Sequence, residues 1–152
     1  EWAMVNGYVP NISMSRQSLL ERGRIHRPTH YMWIDDDQLF TYEQFKKLLD
    51  HNLDIISGIY KKSDSLFACC KLDGQTLTTE DKLDEGVNEV MANGMGFMLV
   101  KKEVFDGMYN PFDFLNENQW EDFGFANKAR QLGYKVNIDS TVIVGHEKLM
   151  VI

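Results

Sequence analysis

YMWIDDDQLF, Tyr31 to Phe40, runs four apolar and aromatic side chains straight into three consecutive aspartates. Tyr31, Met32, Trp33 and Ile34 have the composition of a buried strand, and burial ends where charge begins. Alternate side chains of an extended backbone share a face, so Asp35 and Asp37 fall on one side and Asp36 on the other. Adjacent carboxylates repel one another, and a fold that keeps them together either leaves them in water or supplies a cation. Oxygen donors of this kind suit Mg²⁺ or Mn²⁺, and two carboxylates leave coordination positions for a phosphate or for water. An Asp triplet also suits a solvated turn at a strand end, and this stretch alone leaves both readings open.

Downstream, Thr41 and Gln44 have capping-box spacing, and Phe45, Leu48 and Leu49 form the apolar stripe of a helix that ends near Asn52. Leu53 to Tyr60 (LDIISGIY) reads as the next buried strand. Strand, helix and strand at this length predict a βαβ unit with parallel pairing and a right-handed crossover. The aspartates then lie at the carboxyl end of a parallel strand, where open α/β sheets place their ligands. Upstream, Ser13 or Ser15 caps a short helix that carries Met14, Leu19 and Leu20 and ends near Gly23. The basic connection Arg22 to His30 reads as a solvated loop, with phosphate ligation as the alternative.

Further along, Phe67 to Thr78 predicts a hairpin turning at Asp73 and Gly74. Val87 to Val100 holds two apolar runs around Asn93, Gly94 and Gly96, where glycine marks either a bend of the sheet or a close approach by a ligand. Lys101 to Met108 reads as a short helix, and Phe125, Ala129 and Leu132 give helical spacing up to Gly133. Val136 to Ile138 and Thr141 to Val144 read as two short terminal strands, with Gly145 and His146 directly after.

The 152 residues are read as a single domain, long enough to bury about two thirds of the unfolded surface. A 43% hydrophobic and 26% charged composition is that of an ordinary globular chain. The net charge of −7 argues against a general binder of nucleic-acid polymers or acidic membranes, while a small anion carried on a metal remains compatible. No run of about 18 apolar residues suggests a membrane span, and the start lacks a signal-peptide pattern. The two cysteines, Cys69 and Cys70, are adjacent, a spacing that fits neither a disulfide framework nor a zinc site. A reducing, cytoplasmic compartment is the resulting expectation.

Two other places carry candidate chemistry. Glu121 and Asp122 fall in the first turn of a helix, where carboxylates are favoured by the macrodipole, and Glu121 has capping-box spacing from Asn118. That leaves Asp122 as the better candidate for a catalytic base. His146 follows an apolar strand and a glycine, so its imidazole is placed either to meet a metal or simply to occupy a turn. His26, His30 and His51 carry no comparable signal.

Taken in order, Ser15, Arg16 and Gln17 opening a helix, YMWIDDDQLF, ISGIY, NGMGFMLVKKEVF, WEDFGFANKARQLGY and VGHEK resemble the catalytic part of a family 2 glycosyltransferase with the A-type nucleotide-sugar fold. The resemblance covers about residues 12 to 148. It implies a mostly parallel twisted sheet flanked by helices, lacking the first strand and helix that cradle the nucleotide base, which leaves three alternatives: a partial domain, a minimal form, or a domain completed by another subunit. It implies Asp37 as direct metal ligand, His146 as the late metal ligand, and Asp35 facing the metal through water or the donor's ribose. Asp36 is grouped with the donor-binding residues, Arg16 lies near the nucleotide, and Gly94 and Gly96 line the sugar pocket. Glu121 and Asp122 supply the acceptor's base. Gln17 departs from the Asn that relatives often have there. The implied cofactors are Mn²⁺ or Mg²⁺ and a UDP- or GDP-linked sugar, the partner is a saccharide or other hydroxyl acceptor, and a homo-oligomer is compatible. Two other functions use the same aspartates or the same sheet: a Mg²⁺-dependent phosphohydrolase or nucleotidyltransferase, and a non-catalytic sugar- or partner-binding remnant.

Overall fold

The computed structural model describes residues 2–7, 10–113 and 120–147. In chain order the elements are α1 (Ile12–Arg24), β1 (His30–Ile34), β2 (Gln38–Leu39), α2 (Tyr42–Asp50), β3 (Ile55–Ile59), β4 (Leu66–Cys70) and β5 (Thr76–Thr78). They continue with β6 (Val87–Val90), β7 (Ala92–Asn93), β8 (Phe97–Lys101), α3 (Lys102–Asp106), α4 (Glu121–Gln131), β9 (Val136–Ile143) and β10 (Gly145–His146). A five-stranded sheet in the order β1-β8-β3-β9-β6 forms the centre, with a three-stranded sheet β5-β4-β7 and a two-stranded ribbon β10-β2 beside it.

The expected mostly parallel sheet is corrected by the pairing. Among the described residues of this sheet only β3 and β9 pair in parallel, while β1 with β8, β8 with β3, and β6 with β9 are antiparallel. β1 and β3 do run in the same direction around α2, but β8 lies between them and opposes both. All but the last residue of β8 are buried, a continuous apolar run suited to a central position. β1 is left at the sheet edge, which is why Ile34 is 44% exposed although the sequence suggested a buried strand. The two short strands expected at the end are one continuous strand, β9, followed by β10.

Period-two alternation in the central strands feeds two cores. Ile55, Ile59, Met98 and Val100 pack with Leu20, Phe105 and Phe125 on one face, whereas Ile56, Phe97 and Leu99 pack with Leu48 of α2 on the other. α2 begins as the sequence suggested: the Thr41 side chain accepts from the Gln44 amide, and the Gln44 side chain returns a bond to Thr41 N. The cap of α1 differs. Asn11 Oδ1 accepts from Met14 N at 3.0 Å, which makes Asn11 and not either serine the capping residue. The hairpin of β4 and β5 turns through Gly74, whose φ of 87° is a left-handed conformation that glycine adopts freely.

β1, β3 and β9 all direct their carboxyl ends to one edge of the sheet, and the antiparallel β8 starts there. Asp35 N donates to Gly96 O at 3.0 Å, tying the end of β1 to the start of β8.

Candidate functional site

The β10-β2 ribbon joins the two halves of the site. Gly145 pairs with Leu39 and His146 with Gln38, and Glu147 N donates to Asp37 O at 2.8 Å. A residue 109 positions away is thereby held against the aspartate turn, with His146 Nε2 2.8 Å from Asp37 Oδ2. The other ring nitrogen, Nδ1, lies 2.8 Å from Lys61 O. A carbonyl oxygen can only accept, so Nδ1 carries the proton, and a neutral ring directs its Nε2 lone pair at the Asp37 carboxylate. Two electron-rich atoms at that separation need a positive charge between them, either a second ring proton or a cation. A histidine that donates one ring N–H to a backbone carbonyl while presenting the other nitrogen is the arrangement that metal-ligating imidazoles adopt. The donor set therefore fits a divalent cation. It supplies two ligands from ionisable side chains, and among the described residues no group of three or more His, Cys, Asp or Glu is placed to hold a metal.

Asp35 and Asp37 are both partly buried and Asp36 is exposed, but Asp36 and Asp37 lie in a turn closed by Gln38 N donating to Asp35 O at 3.2 Å, not in the extended backbone expected from the sequence. Asp35 is engaged differently from Asp37. Arg16 Nη2 lies 3.2 Å from its Oδ1, and Arg16 Nε lies 3.1 Å from Glu121 Oε1. The guanidinium is almost wholly buried, 5.9 Å above the Trp33 ring, and its flat fork holds the end of β1 and the start of α4 together. Arg16 and Glu121 thus form an internal ion pair.

Asp122, the neighbour of Glu121, has a different environment. It accepts from its neighbour Phe123 N at 2.7 Å. Removal from water, and then the charge of Glu121, push its carboxyl up to about 6. This places the group near neutrality, where a carboxylate can both hold and release a proton. Asn118, the cap expected for this helix, lies outside the described residues, and the expected capping box is corrected: Trp120 is the N-cap, without a side-chain cap bond, and Glu121 is the first helical residue.

Tyr60, at the end of β3, connects these parts and was not singled out by the sequence reading. Its hydroxyl accepts from Gly96 N at 3.2 Å, and its ring meets the His146 ring edge-on at 5.3 Å. Burial, followed by the charge of Asp35, raises its phenol above the ordinary range, and Arg16 and Asp122 also act on it. Gly94 and Gly96 are buried against this ring: a Cβ on Gly94 would stand 2.2 Å from the Tyr60 hydroxyl, and one on Gly96 would stand 2.9 Å from it. The signal that could have found Tyr60 is its place, a polar aromatic at the carboxyl end of a strand running with β1.

Two surface depressions, of about 440 and 340 Å³, lie along β5 and at the start of α1. Neither is lined by Asp35, Asp37, Tyr60, Glu121, Asp122 or His146; charge and hydrogen bonding single out the sheet end.

This architecture is shared with solved structures, among them A197 from STIV and GalNAc-T7. The chain superposes on A197 from STIV with a TM-score of 0.65 at 17% identity, covering 92% of this chain and 69% of that one. It superposes on GalNAc-T7, crystallised with UDP, GalNAc and Mn²⁺, with a TM-score of 0.61 at 12% identity, covering 93% of this chain and 31% of that one. At these identities the likeness is one of fold. No protein-family model matches the sequence, and no curated protein matches it. Among the described residues no helix is long and apolar enough to cross a membrane.

Proposed function

We propose that this chain is the catalytic part of a metal-dependent glycosyltransferase, moving a sugar from a nucleoside-diphosphate donor to an acceptor hydroxyl. The observation that carries the reading is the Asp37 and His146 pair, 2.8 Å apart with the second ring nitrogen committed to Lys61 O. The fold shared with a structure that contains UDP and Mn²⁺ supports it. Asp37 and His146 would hold Mn²⁺ or Mg²⁺, which supplies positive charge to the departing diphosphate. Asp122 is the base. In a direct displacement its carboxylate takes the acceptor hydroxyl's proton as the oxygen bonds to the anomeric carbon and the bond to the diphosphate breaks. Arg16 and Glu121 position β1 against α4, and Asp35, held by Arg16, keeps one face toward the donor. Asp36, exposed, contributes negative charge at the rim.

The test is a melting curve with Mn²⁺ and UDP. A ligand at a hundred times its Kd stabilises by about 2.7 kcal/mol, which for a chain of this size corresponds to a rise of about 5–10 °C. Asp37→Ala is expected to abolish the rise. Absence of any rise in the natural sequence at millimolar Mn²⁺ and UDP would count decisively against the reading.

A further inference from the structure

Trp120 is the N-cap of α4, a position that favours Ser, Thr, Asp and Asn because a side-chain oxygen there accepts from the amide of the second or third helical residue. An indole has no acceptor, and Trp120 makes no side-chain cap bond. Instead Asp122, the second residue of the helix, takes the amide of the third, Phe123, at 2.7 Å. The Asp122 carboxylate therefore folds over the open end of α4, the same end from which the N-cap side chain projects. Trp120 O accepts from Gly124 N at 3.1 Å, so its backbone is tied to the helix. The side chain is left in water: Trp120 is 68% exposed, whereas Glu121, the next residue, is 4% exposed.

Neither helix capping nor core packing accounts for a tryptophan here. A serine would satisfy the helix end better, and a polar residue would suit the exposure. Where a sequence breaks a local rule without a structural gain, function is the place to look for the reason. What an indole adds is a flat, electron-rich face, held at the helix end beside the carboxylate assigned as the base. An acceptor hydroxyl presented to Asp122 brings the rest of the acceptor to that face. A pyranose ring suits it, since one side of the ring presents C–H groups to the negative face of the aromatic while the hydroxyls around its rim stay in water. A nucleobase also has a face to stack, but the diphosphate attached to it is drawn to the Asp37 and His146 end of the site.

We propose that the Trp120 indole is the platform on which a saccharide acceptor stacks, so that the acceptor is recognised as a sugar ring and not as an isolated hydroxyl. The inference rests on the reading of Asp122 as the base of a glycosyltransferase. Trp120 takes no part in the proton transfer, and its contribution is to acceptor binding and specificity.

The experiment measures release of UDP or GDP from a set of UDP- and GDP-linked sugars as the methyl glycosides of glucose, galactose, mannose and N-acetylglucosamine are titrated. It compares the natural sequence with Trp120→Phe and Trp120→Leu. Phenylalanine keeps a ring face, and leucine keeps apolar surface without one. The KM for the glycoside is expected to rise about tenfold in Trp120→Leu and less than about threefold in Trp120→Phe, with kcat and its dependence on pH little changed. The melting-temperature rise with Mn²⁺ and UDP is expected to be the same in all three. An unchanged KM in Trp120→Leu overturns the proposal, and so does transfer to glycerol or to a serine- and threonine-containing peptide with none to any glycoside. A fall in kcat at constant KM makes Trp120 a support for Asp122 and overturns it too. A smaller melting rise in Trp120→Leu assigns the ring to the nucleotide, with the same consequence. A melting rise without glycoside-dependent release in the natural sequence removes the platform alone, whereas the absence of both removes the glycosyltransferase reading as well. Should Trp120→Leu fail to give a folded circular dichroism spectrum, saturation transfer from indole protons to the glycoside's ring C–H protons decides. It is measured in Trp2→Phe, which leaves Trp120 as the exposed indole beside the buried Trp33, and its absence overturns the proposal.

Discussion

Asp122 is held where its charge is costly. Its ordinary value of 3.8 rises to about 6 in the fold, so the native state binds this proton more tightly than the unfolded chain does. Stability is highest while the group is protonated and falls as pH rises from about 4 through about 6, after which the ionised carboxylate costs about 3 kcal/mol. Asp122→Asn removes that cost: thermal unfolding at pH 7.5 is expected to show a more stable variant, and at pH 4 the difference should vanish. The same substitution should abolish sugar transfer, whose rate in the natural sequence should rise with pH through about 6 as the base becomes available. A variant that is both less stable at pH 7.5 and fully active would remove Asp122 from its role. Arg16 presents the opposite case. Its guanidinium neutralises Glu121, only 4% of which is exposed, so Arg16→Ala strands a buried carboxylate and is expected to cost about 3–5 kcal/mol in denaturant unfolding. Arg16→Met combined with Glu121→Leu should recover most of that loss, because the pair is replaced by packing and not broken.

At the scale of elements, the turn between β7 and β8 is shaped by what its glycines leave out. Tyr60 fills the space over Gly94 and Gly96, and from there it braces both the start of β8 and the His146 ring. Gly94→Ala would push a methyl group to 2.2 Å from the Tyr60 hydroxyl and is expected to cost about 1–3 kcal/mol. Combining it with Tyr60→Phe should return much of the loss, since the remaining contacts are 3.1 Å or longer and a small shift relieves them. If the pair of substitutions is simply additive in an unfolding cycle, the Tyr60 hydroxyl is not the obstacle. Local patterns announced several of these elements. The capping box of α2 lies within four residues, and the aspartate turn and the Gly74 hairpin likewise depend on neighbours in the chain. The Asn11 cap was missed because three polar residues near the helix start have similar capping strength, and only the backbone entry angle selects among them.

Across the whole molecule, what could not be read locally is direction. Apolar runs such as those of β3 and β8 have the same alternation and burial whether their neighbours run with or against them. The insertion of β8 between β1 and β3 was decided by pairing over long sequence separations, and it overturned the parallel sheet that strand-helix-strand order suggested. The position of the site survived that error because β1, β3 and β9 still end at one edge. His146 meets Asp37 through a ribbon of two paired residues, a contact that no spacing in the sequence encodes. Such a site joins elements that sheet pairing, Arg16 and Tyr60 also hold at this edge, so a ligand bound there should couple them further. With Mn²⁺ and UDP at about a hundred times Kd, amides that exchange only through opening of the liganded fold should slow by up to about a hundredfold. The amides of Asp35, Val144 and Glu147, which bond to Gly96 O, Ile59 O and Asp37 O, should slow together, because each one's bond closes the same edge. The hairpin amides of Lys71 and Gly74, bonded to Gln75 O and Lys71 O, should change least, since that turn can open without disturbing the edge. Hydrogen exchange followed residue by residue separates the outcomes: slowing confined to the hairpin and the β5 depression would place the ligand there, and the sheet end would no longer be its site.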